Sequence, residues 1–439
     1  MLFTGLPSID VEALRSRLFG DVYGPDDEGW DEARRAWNLA VDQRPAAVAE
    51  PITDADVVEV VNFAREQGLR VAPQGTGHGA AAIANLEHTI LLSTKRMRGV
   101  RIDPKAQRAR VRAGAIWQDV TAPASAYGLA PLAGSAHDVG VVGYTLGGGL
   151  SWLAREHGFA CDSVTAIELV TADGAFIRTD EDNDPELFAA LKGGGGNFGV
   201  VTAMEFKLYP VEQLTGGALL WPAERAEEVF NAWREWAATV PNQVTSLCRL
   251  LNVPPLPDVP EPLRGRSFVA VEAAVLGDDS LLAPLRALAP EIDMVGPIPP
   301  AALIEIHNDP KHPMPGMADH RVLADAPPEA IAALVQAAGP DLVAVELRHL
   351  GGNLPVDGFS LFAIGIPMDA ESAMAIDAAL ARVMEATAPY DSGRSLLNFS
   401  DRPAPAKRLW DDLGARRAVK QRVDGGDVFA ANHPLQITG

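Results

Sequence analysis

Only two cysteines, Cys161 and Cys248, occur in 439 residues, and they lie far apart. A disulfide framework and a CxxC zinc site are thereby excluded, and the scarcity points to a reducing compartment. Basic charge is also short: 37 Lys and Arg against 58 Asp and Glu leave a formal charge of -21 and a pI near 4.8. A surface of that sign repels phosphate backbones and anionic headgroups, so neither nucleic acid nor a membrane is expected as a partner. No run approaches the ~18 uninterrupted apolar residues of a membrane span. The N-terminal stretch itself is broken by Asp10, Glu12, Arg15 and Arg17, and the expectation is a cytoplasmic protein. No GxGxxG followed by an acid, no GxxxxGK[ST] and no HExxH occurs, so nicotinamide, P-loop and zincin chemistry drop out.

What the chain does have is glycine, concentrated in three loops of its first half. The first is PQGTGHG at 73–79, a turn that follows the apolar strand LRVAP and encloses His78 between two glycines. The second is AGSAHDVGVVGYTLGGGLSW at 133–152 and the third KGGGGNFGVV at 192–201. Glycine lets the main chain approach a ligand without a Cβ in the way, and successive N–H groups can then converge on a pyrophosphate. One such loop is weak evidence of a site, since turns need glycine for steric reasons. Three of them, each at a strand end or helix start, favour an extended dinucleotide.

Strands and helices alternate around these loops up to about residue 210. Thr53 or Asp54 caps a helix whose apolar residues Val57, Val58, Val61 and Ala64 share a face and which stops at Gly68. A helical segment runs from Ile116 to about Ser125, and SVTAIELVTADGAFIRTD reads as a hairpin turning at Asp173-Gly174. Composition changes near 211–216, with prolines gathering at 254–262 and 297–328. The middle holds strands such as SFVAVEAAV, DLVAVELRHL and FSLFAIGI, with helices near 223–238 and 370–386 suited to one face of a sheet. Trp233 and Trp236 on the first of these read as core or an oligomer contact.

The cofactor half resembles the berberine bridge enzyme-like FAD-linked oxidoreductases of the vanillyl-alcohol oxidase superfamily. The motifs that carry the likeness are GDVYGPDDEGWDEARRAWN, RPAAVAEPITDADVVEVVNFAREQGLRVAPQGTGHG, DVGVVGYTLGGGLSWLAREHGFACDSV, GGGGNFGVVTAMEFKLYP and the C-terminal VKQRVDGGDVFAANHPL. The resemblance implies an α+β fold: a two-subdomain PCMH-type FAD-binding domain (1–212), a substrate domain with an antiparallel sheet flanked by helices (213–393), and a return to the FAD-binding domain (394–439).

The resemblance also implies roles. Pro73, Gln74, Gly75, Thr76, Gly77, His78 and Gly79 would hold the pyrophosphate, with His78 bonded to the flavin 8α carbon. His137, Asp138, Gly140, Val142, Gly143, Thr145, Gly148 and Gly149 would wrap the flavin and ribityl chain. Gly196, Asn197, Gly199 and Val201 would hold the adenosine and flavin edges, with Asn398, Asn432 and His433 closing the site. Doubly linked members carry a cysteine two residues before Asp138; here Ala136 stands there, so a single histidyl link is expected.

Catalysis is less well marked. Where many relatives carry a YxNYxD-like stretch, this chain has LLNFSD at 396–401, without either tyrosine. In DLVAVELRHL, Glu346 and Arg348 project from one strand face. They are candidate proton acceptor and anion anchor, with an ordinary ion pair on a solvated face as the alternative. Tyr144 is a further candidate hydroxyl, with packing against the ring system as its other reading. The cluster HNDPKHPMPGMADH, with His307, Asp309, His312, Asp319 and His320, reads as a mobile loop at the substrate entrance rather than a metal site. The function expected is an oxidase of a small metabolite, moving hydride from a C–H next to O or N to FAD, with O2 as reoxidant and Val141 and Val142 setting its access. A dehydrogenase with another acceptor and a flavin-retaining binding protein without turnover are the alternatives. Substrate identity and oligomeric state stay open.

Overall fold

A computed structural model describes residues 9–83, 85–255 and 261–437. The opening of the N-terminal stretch and part of the 254–262 proline cluster lie outside the described residues. The fold is α+β, built on three main sheets.

The first sheet takes β1 (Asp21–Tyr23), β2 (Ala47–Glu50), β3 (Arg70–Gln74) and β4 (Thr89–Ser93) in the order β1-β2-β4-β3. Strands β2, β4 and β3 run parallel, and the helix Asp54–Gln67 supplies the crossover between β2 and β3. Its ends are written in the sequence. The Thr53 hydroxyl accepts from the Asp56 amide at 3.1 Å and the Asp56 carboxylate accepts from the Thr53 amide at 3.0 Å, while Gly68 closes it with φ +66°. The glycine turn 75–79 leaves the end of β3.

The second sheet takes β5 (Val100–Asp103), β6 (Arg108–Arg112), β8 (Val164–Val170), β9 (Phe176–Thr179) and β10 (Val200–Lys207), in the order β5-β6-β10-β8-β9 and antiparallel throughout. The short strands β7 (Leu129–Ala130) and β11 (Tyr209–Pro210) form a separate pair. Strands β8 and β9 make the hairpin expected at Asp173-Gly174, where the Thr171 amide donates to the Ala175 carbonyl and Gly174 takes φ +81°. The helix expected from Ile116 is found at Trp117–Ser125.

The third sheet has eight antiparallel strands: β12 (Thr215–Pro222), β13 (Val244–Asn252), β14 (Ser267–Val275), β15 (Ile292–Asp293), β16 (Gly296–Pro297), β17 (Met317–Leu323), β18 (Ala344–His349) and β19 (Phe359–Gly365). Its main order is β15-β12-β14-β13-β18-β19-β17, with β16 also on β12. Strand alternation separates its faces. Val269, Val271, Val345, Leu347, Leu361 and Ala363 point to one side, where the helices Ala226–Ala237, Pro328–Ala338 and Ala370–Ala386 bury them. Trp233 and Trp236 belong to that core, each donating its indole N–H, to Ser246 Oγ and the Leu281 carbonyl. The opposite face carries Arg249, Glu272, Glu346 and Arg348, and it looks toward the glycine loops.

The chain then returns to the first two sheets. Val71 and Val428 to Ala430 exchange backbone hydrogen bonds, and the Trp410 indole donates to the Gly193 carbonyl at 2.8 Å. No helix among the described residues is long and apolar enough to cross a membrane.

Candidate active site

A cavity of about 760 Å3 lies between the glycine loops and the charged face of the third sheet. That is near the top of the ~300–1,000 Å3 range of ligand pockets. The whole turn 73–79 lines it, with Gly140, Val142, Gly143 and Tyr144 from the second loop, Gly196, Gly199 and Val201 from the third, and Asn398, Asn432 and His433 from the C-terminal return. Glu346 and Arg348 line it from the sheet.

His78 is held by two neighbours. Its ring stacks on Trp37, centroids 4.0 Å apart and 19° from parallel, and its Nε2 lies 3.1 Å from Asp138 Oδ1. The turn makes that stacking possible. Gly77 sits at φ +83° with the backbone of Ala36 where a Cβ would fall, so the Ala36–Trp37 segment can close over the histidine. Asp138 also accepts from the Trp37 indole at 2.5 Å. Burial works to raise its carboxyl, but the bonds with His78 and Trp37 outweigh that and hold it below the usual carboxylate range. An ionised carboxylate only accepts, so Nε2 of His78 is the donating nitrogen, and the neutral tautomer that makes this bond has its lone pair on Nδ1. No partner of Nδ1 occurs among the described residues.

Several expected cofactor residues do not line the cavity but hold those that do. Asn197 is buried and ties the C-terminal return to the third loop, donating to the Gly194 and His433 carbonyls and accepting from the Leu435 amide. The Thr145 hydroxyl donates to the Val141 carbonyl at 2.7 Å. Asn398 clamps the second loop: its Oδ1 accepts from Gly149 and its Nδ2 donates to the Tyr144 carbonyl. Gly148 and Gly149 take φ +106° and +80° beneath that clamp, and Asn432 donates to the Gly79 carbonyl. His137 lies beside Asp138 without reaching the lining. Val141 packs in the core, leaving only Val142 at the cavity wall.

The sheet side is a buried network of charge. Glu346 is 1% exposed and accepts from Arg348 Nε at 2.7 Å, so the alternative of an ion pair on a solvated face is corrected. Arg348 stands over the Phe399 ring, 5.1 Å from its centroid, at one of the positions where the tyrosines are missing. Arg249 faces Glu346 in the β13–β18 register and contacts Glu272 at 2.5 Å. His307 joins them: Nδ1 is 2.6 Å from Glu272, and Nε2 is 3.1 Å from Arg249 and 3.4 Å from Glu346. Burial acts to raise the Glu272 carboxyl, yet Arg249 and His307 overcome it and hold it down at about 2. Glu346 Oε2 is the carboxylate oxygen left without a closer bond.

The 307–320 segment is therefore not a loop at the entrance as a whole. His307 is buried in the network at the cavity wall and His320 is on β17, buried against Phe399 and away from the lining, while Asn308, Asp309, Pro310 and the stretch 314–316 line the cavity. Among the described residues no group of His, Cys, Asp and Glu could hold a metal ion. Arg249, Glu272 and Trp37 were not singled out for the site from the sequence, and His307 was placed only in a loop at the substrate entrance. A signal for two of them exists: Glu272 and Arg249 interrupt otherwise apolar strands, and a charge there must find a partner.

A Cβ on Gly143 would meet nothing within 4 Å, so the second loop has open space there. The Tyr144 hydroxyl is buried without a partner among the described residues, and burial pushes its phenol well above the ordinary range. A cavity walled by glycine backbone on one side and by charged and apolar side chains of the third sheet on the other fits a dinucleotide carrying a flat ring system.

Comparison with known proteins agrees. Residues 45–180 match the FAD binding domain family. An (R)-6-hydroxynicotine oxidase of Paenarthrobacter nicotinovorans is 35% identical over 209 residues, 47% of this chain and 46% of that protein. Among solved structures, the berberine bridge enzyme-like protein 1 of Physcomitrella patens superposes with a TM-score of 0.86 at 19% identity, over 98% of this chain and all of that one. The 6-hydroxy-D-nicotine oxidase of Arthrobacter nicotinovorans superposes at 0.80 with 26% identity, over 100% and 99%. The chain spans about half the length of the relatives it matches in sequence.

Proposed function

We propose that this chain, which has the fold of the berberine bridge enzyme-like FAD-linked oxidoreductases and an FAD-binding domain, is an oxidase of a small metabolite. It would take hydride from a C–H bond adjacent to oxygen or nitrogen, with FAD bonded to His78 and O2 as the final acceptor. The observation that carries the reading is the arrangement of one cavity: an oriented histidine at one end faces a buried acid–base network across it.

FAD, when bound, supplies the two-electron acceptor that no side chain can provide. The turn 73–79 and the third loop offer backbone to its phosphates, and Tyr144 lines the cavity beside them. Nδ1 of His78, freed by the Asp138 bond to Nε2, is the nitrogen available for the covalent link. Glu346 Oε2 receives the proton of the substrate's O–H or N–H as its carbon loses hydride. Arg348 fixes the direction of Glu346 through its Nε–Oε1 bond, and His307 and Arg249 close the network behind it. The apolar wall formed by Leu251, Val343, Phe362 and Ile364 supports a substrate with a substantial apolar surface.

Acid denaturation of the yellow protein tests the link, because covalently held colour stays with the precipitate. Anaerobic mixing with alcohols and amines should bleach the flavin band, and air should restore it within a turnover. Free FAD in the supernatant overturns the covalent link. No bleaching by any alcohol, sugar or amine overturns the oxidase reading, and slow recovery in air overturns the role of O2.

A further inference from the structure

A second cavity, of about 320 Å3, opens on the helix-covered side of β18, on the opposite face from Glu346 and Arg348. Arg155, Arg234 and His349 line it, with Gly351 and Gly352 from the turn after β18. Arg155 is 5% exposed, on the short helix Ala154–His157 that follows the second glycine loop. It has no ion pair with any carboxylate among the described residues. Its Nη1 donates to the carbonyls of Pro241 and Val244, at 3.2 and 2.7 Å, while its Nε is buried without a partner. Arg234, in the last turn of the helix Ala226–Ala237, likewise has a buried Nε without a partner among the described residues, where its one ionic contact is Glu235 at 3.8 Å. His349 Nδ1 is a third such atom.

Buried charge is costly unless paired, and a guanidinium presents its Nε–Nη2 edge as a flat fork for a carboxylate or phosphate. With Nη1 of Arg155 committed to carbonyls and Nε sealed from solvent, Nη2 is the nitrogen of that fork left for a ligand. We propose that this cavity binds a small oxyanion, a carboxylate or phosphate group, between the guanidinium groups of Arg155 and Arg234 that line it. Asp325 and Asp357 lie exposed at its rim and pair with neither arginine. They repel any ligand whose negative charge extends to the mouth, so nucleotides and polyphosphates are excluded. Burial, with Arg155 adding to it, drives His349 down to about 3, so the ring is neutral and adds a hydrogen bond rather than charge. The arrangement joins the glycine-loop half, through Arg155, to the third sheet, and an anion here stabilises that junction.

The test is titration calorimetry and thermal melting of the protein as purified, with sodium phosphate and sodium acetate against sodium chloride at equal ionic strength. Saturable binding of one equivalent of phosphate or of acetate, with a raised Tm and an unchanged flavin absorbance, is expected; which salt saturates identifies the ligand class. Arg234→Gln should weaken that binding at least about tenfold. Arg155→Lys, which keeps the charge and can still reach the carbonyls but lacks the fork, should do the same. Equal stabilisation by chloride, binding unchanged in Arg234→Gln, or binding that shifts the flavin band each overturns the proposal. The flavin-band outcome assigns the anion to Arg249 and Arg348 in the large cavity instead.

Discussion

Replacing Asp138 by Asn isolates the step that makes His78 a nucleophile. The carboxylate accepts from Nε2 of His78 at 3.1 Å and from Trp37 at 2.5 Å, and only Trp37 can be served equally well by the Asn carbonyl. The amide can rotate to present N–H to the imidazole instead, which selects the opposite tautomer and places the proton on Nδ1. A hydrogen bond to a charged group contributes about 1.5–3 kcal/mol. At about 1.4 kcal/mol per tenfold, losing that bias slows attachment of FAD to Nδ1 by roughly 10- to 150-fold.

The assay adds FAD to apoprotein, quenches in acid at intervals, and measures the flavin that remains with the precipitated chain. Wild-type attachment should be steady at neutral pH and lose this help only as pH falls through a carboxyl held below its ordinary 3.8. Non-covalent binding, read by flavin fluorescence before the quench, should change little, since Asp138 does not line the cavity. Attachment in Asp138→Asn at the wild-type rate refutes the tautomer argument, and attachment that survives in His78→Ala refutes the choice of residue.

Two further perturbations address the sheet side. Glu346→Gln removes the proton acceptor and leaves Arg348 buried beside a neutral amide. Stopped-flow reduction of the flavin should slow by about 100- to 10,000-fold, and Tm should fall, because breaking one partner of a buried pair costs about 3–5 kcal/mol; a variant with wild-type reduction kinetics removes Glu346 from the mechanism. Asp401 lines the same cavity, and burial, with Asp319 adding to it, pushes its carboxyl up to about 7. The folded state then keeps a proton that the unfolded chain has released, so stability falls as pH rises from about 4 to 7 and stays lower above. Asp401→Asn should therefore raise Tm at pH 8 and leave it nearly unchanged at pH 4; equal shifts at both values refute the assignment.

What could be read from the chain follows from how far each feature depends on local spacing. The capped helix after Thr53, the Asp173-Gly174 hairpin and the glycine turn around His78 are set by residues within a few positions of one another, and all three stand where spacing puts them. Alternation along β18 put Glu346 and Arg348 on one face, but alternation cannot say what that face meets. The answer depends on β13 lying beside β18 with Arg249 opposite Glu346, on β14 bringing Glu272 next to Leu247, and on a chain reversal that drops His307 between them. A slip of one residue in the β13–β18 register would turn Arg249 toward the helices, away from Glu272 and from its place opposite Glu346. The network is thus also a constraint on register: four buried charged residues on three strands, with His307, are brought together by this pairing. Their cost in isolation is what makes that pairing specific, so the residues proposed to move the substrate's proton also align the sheet that presents them.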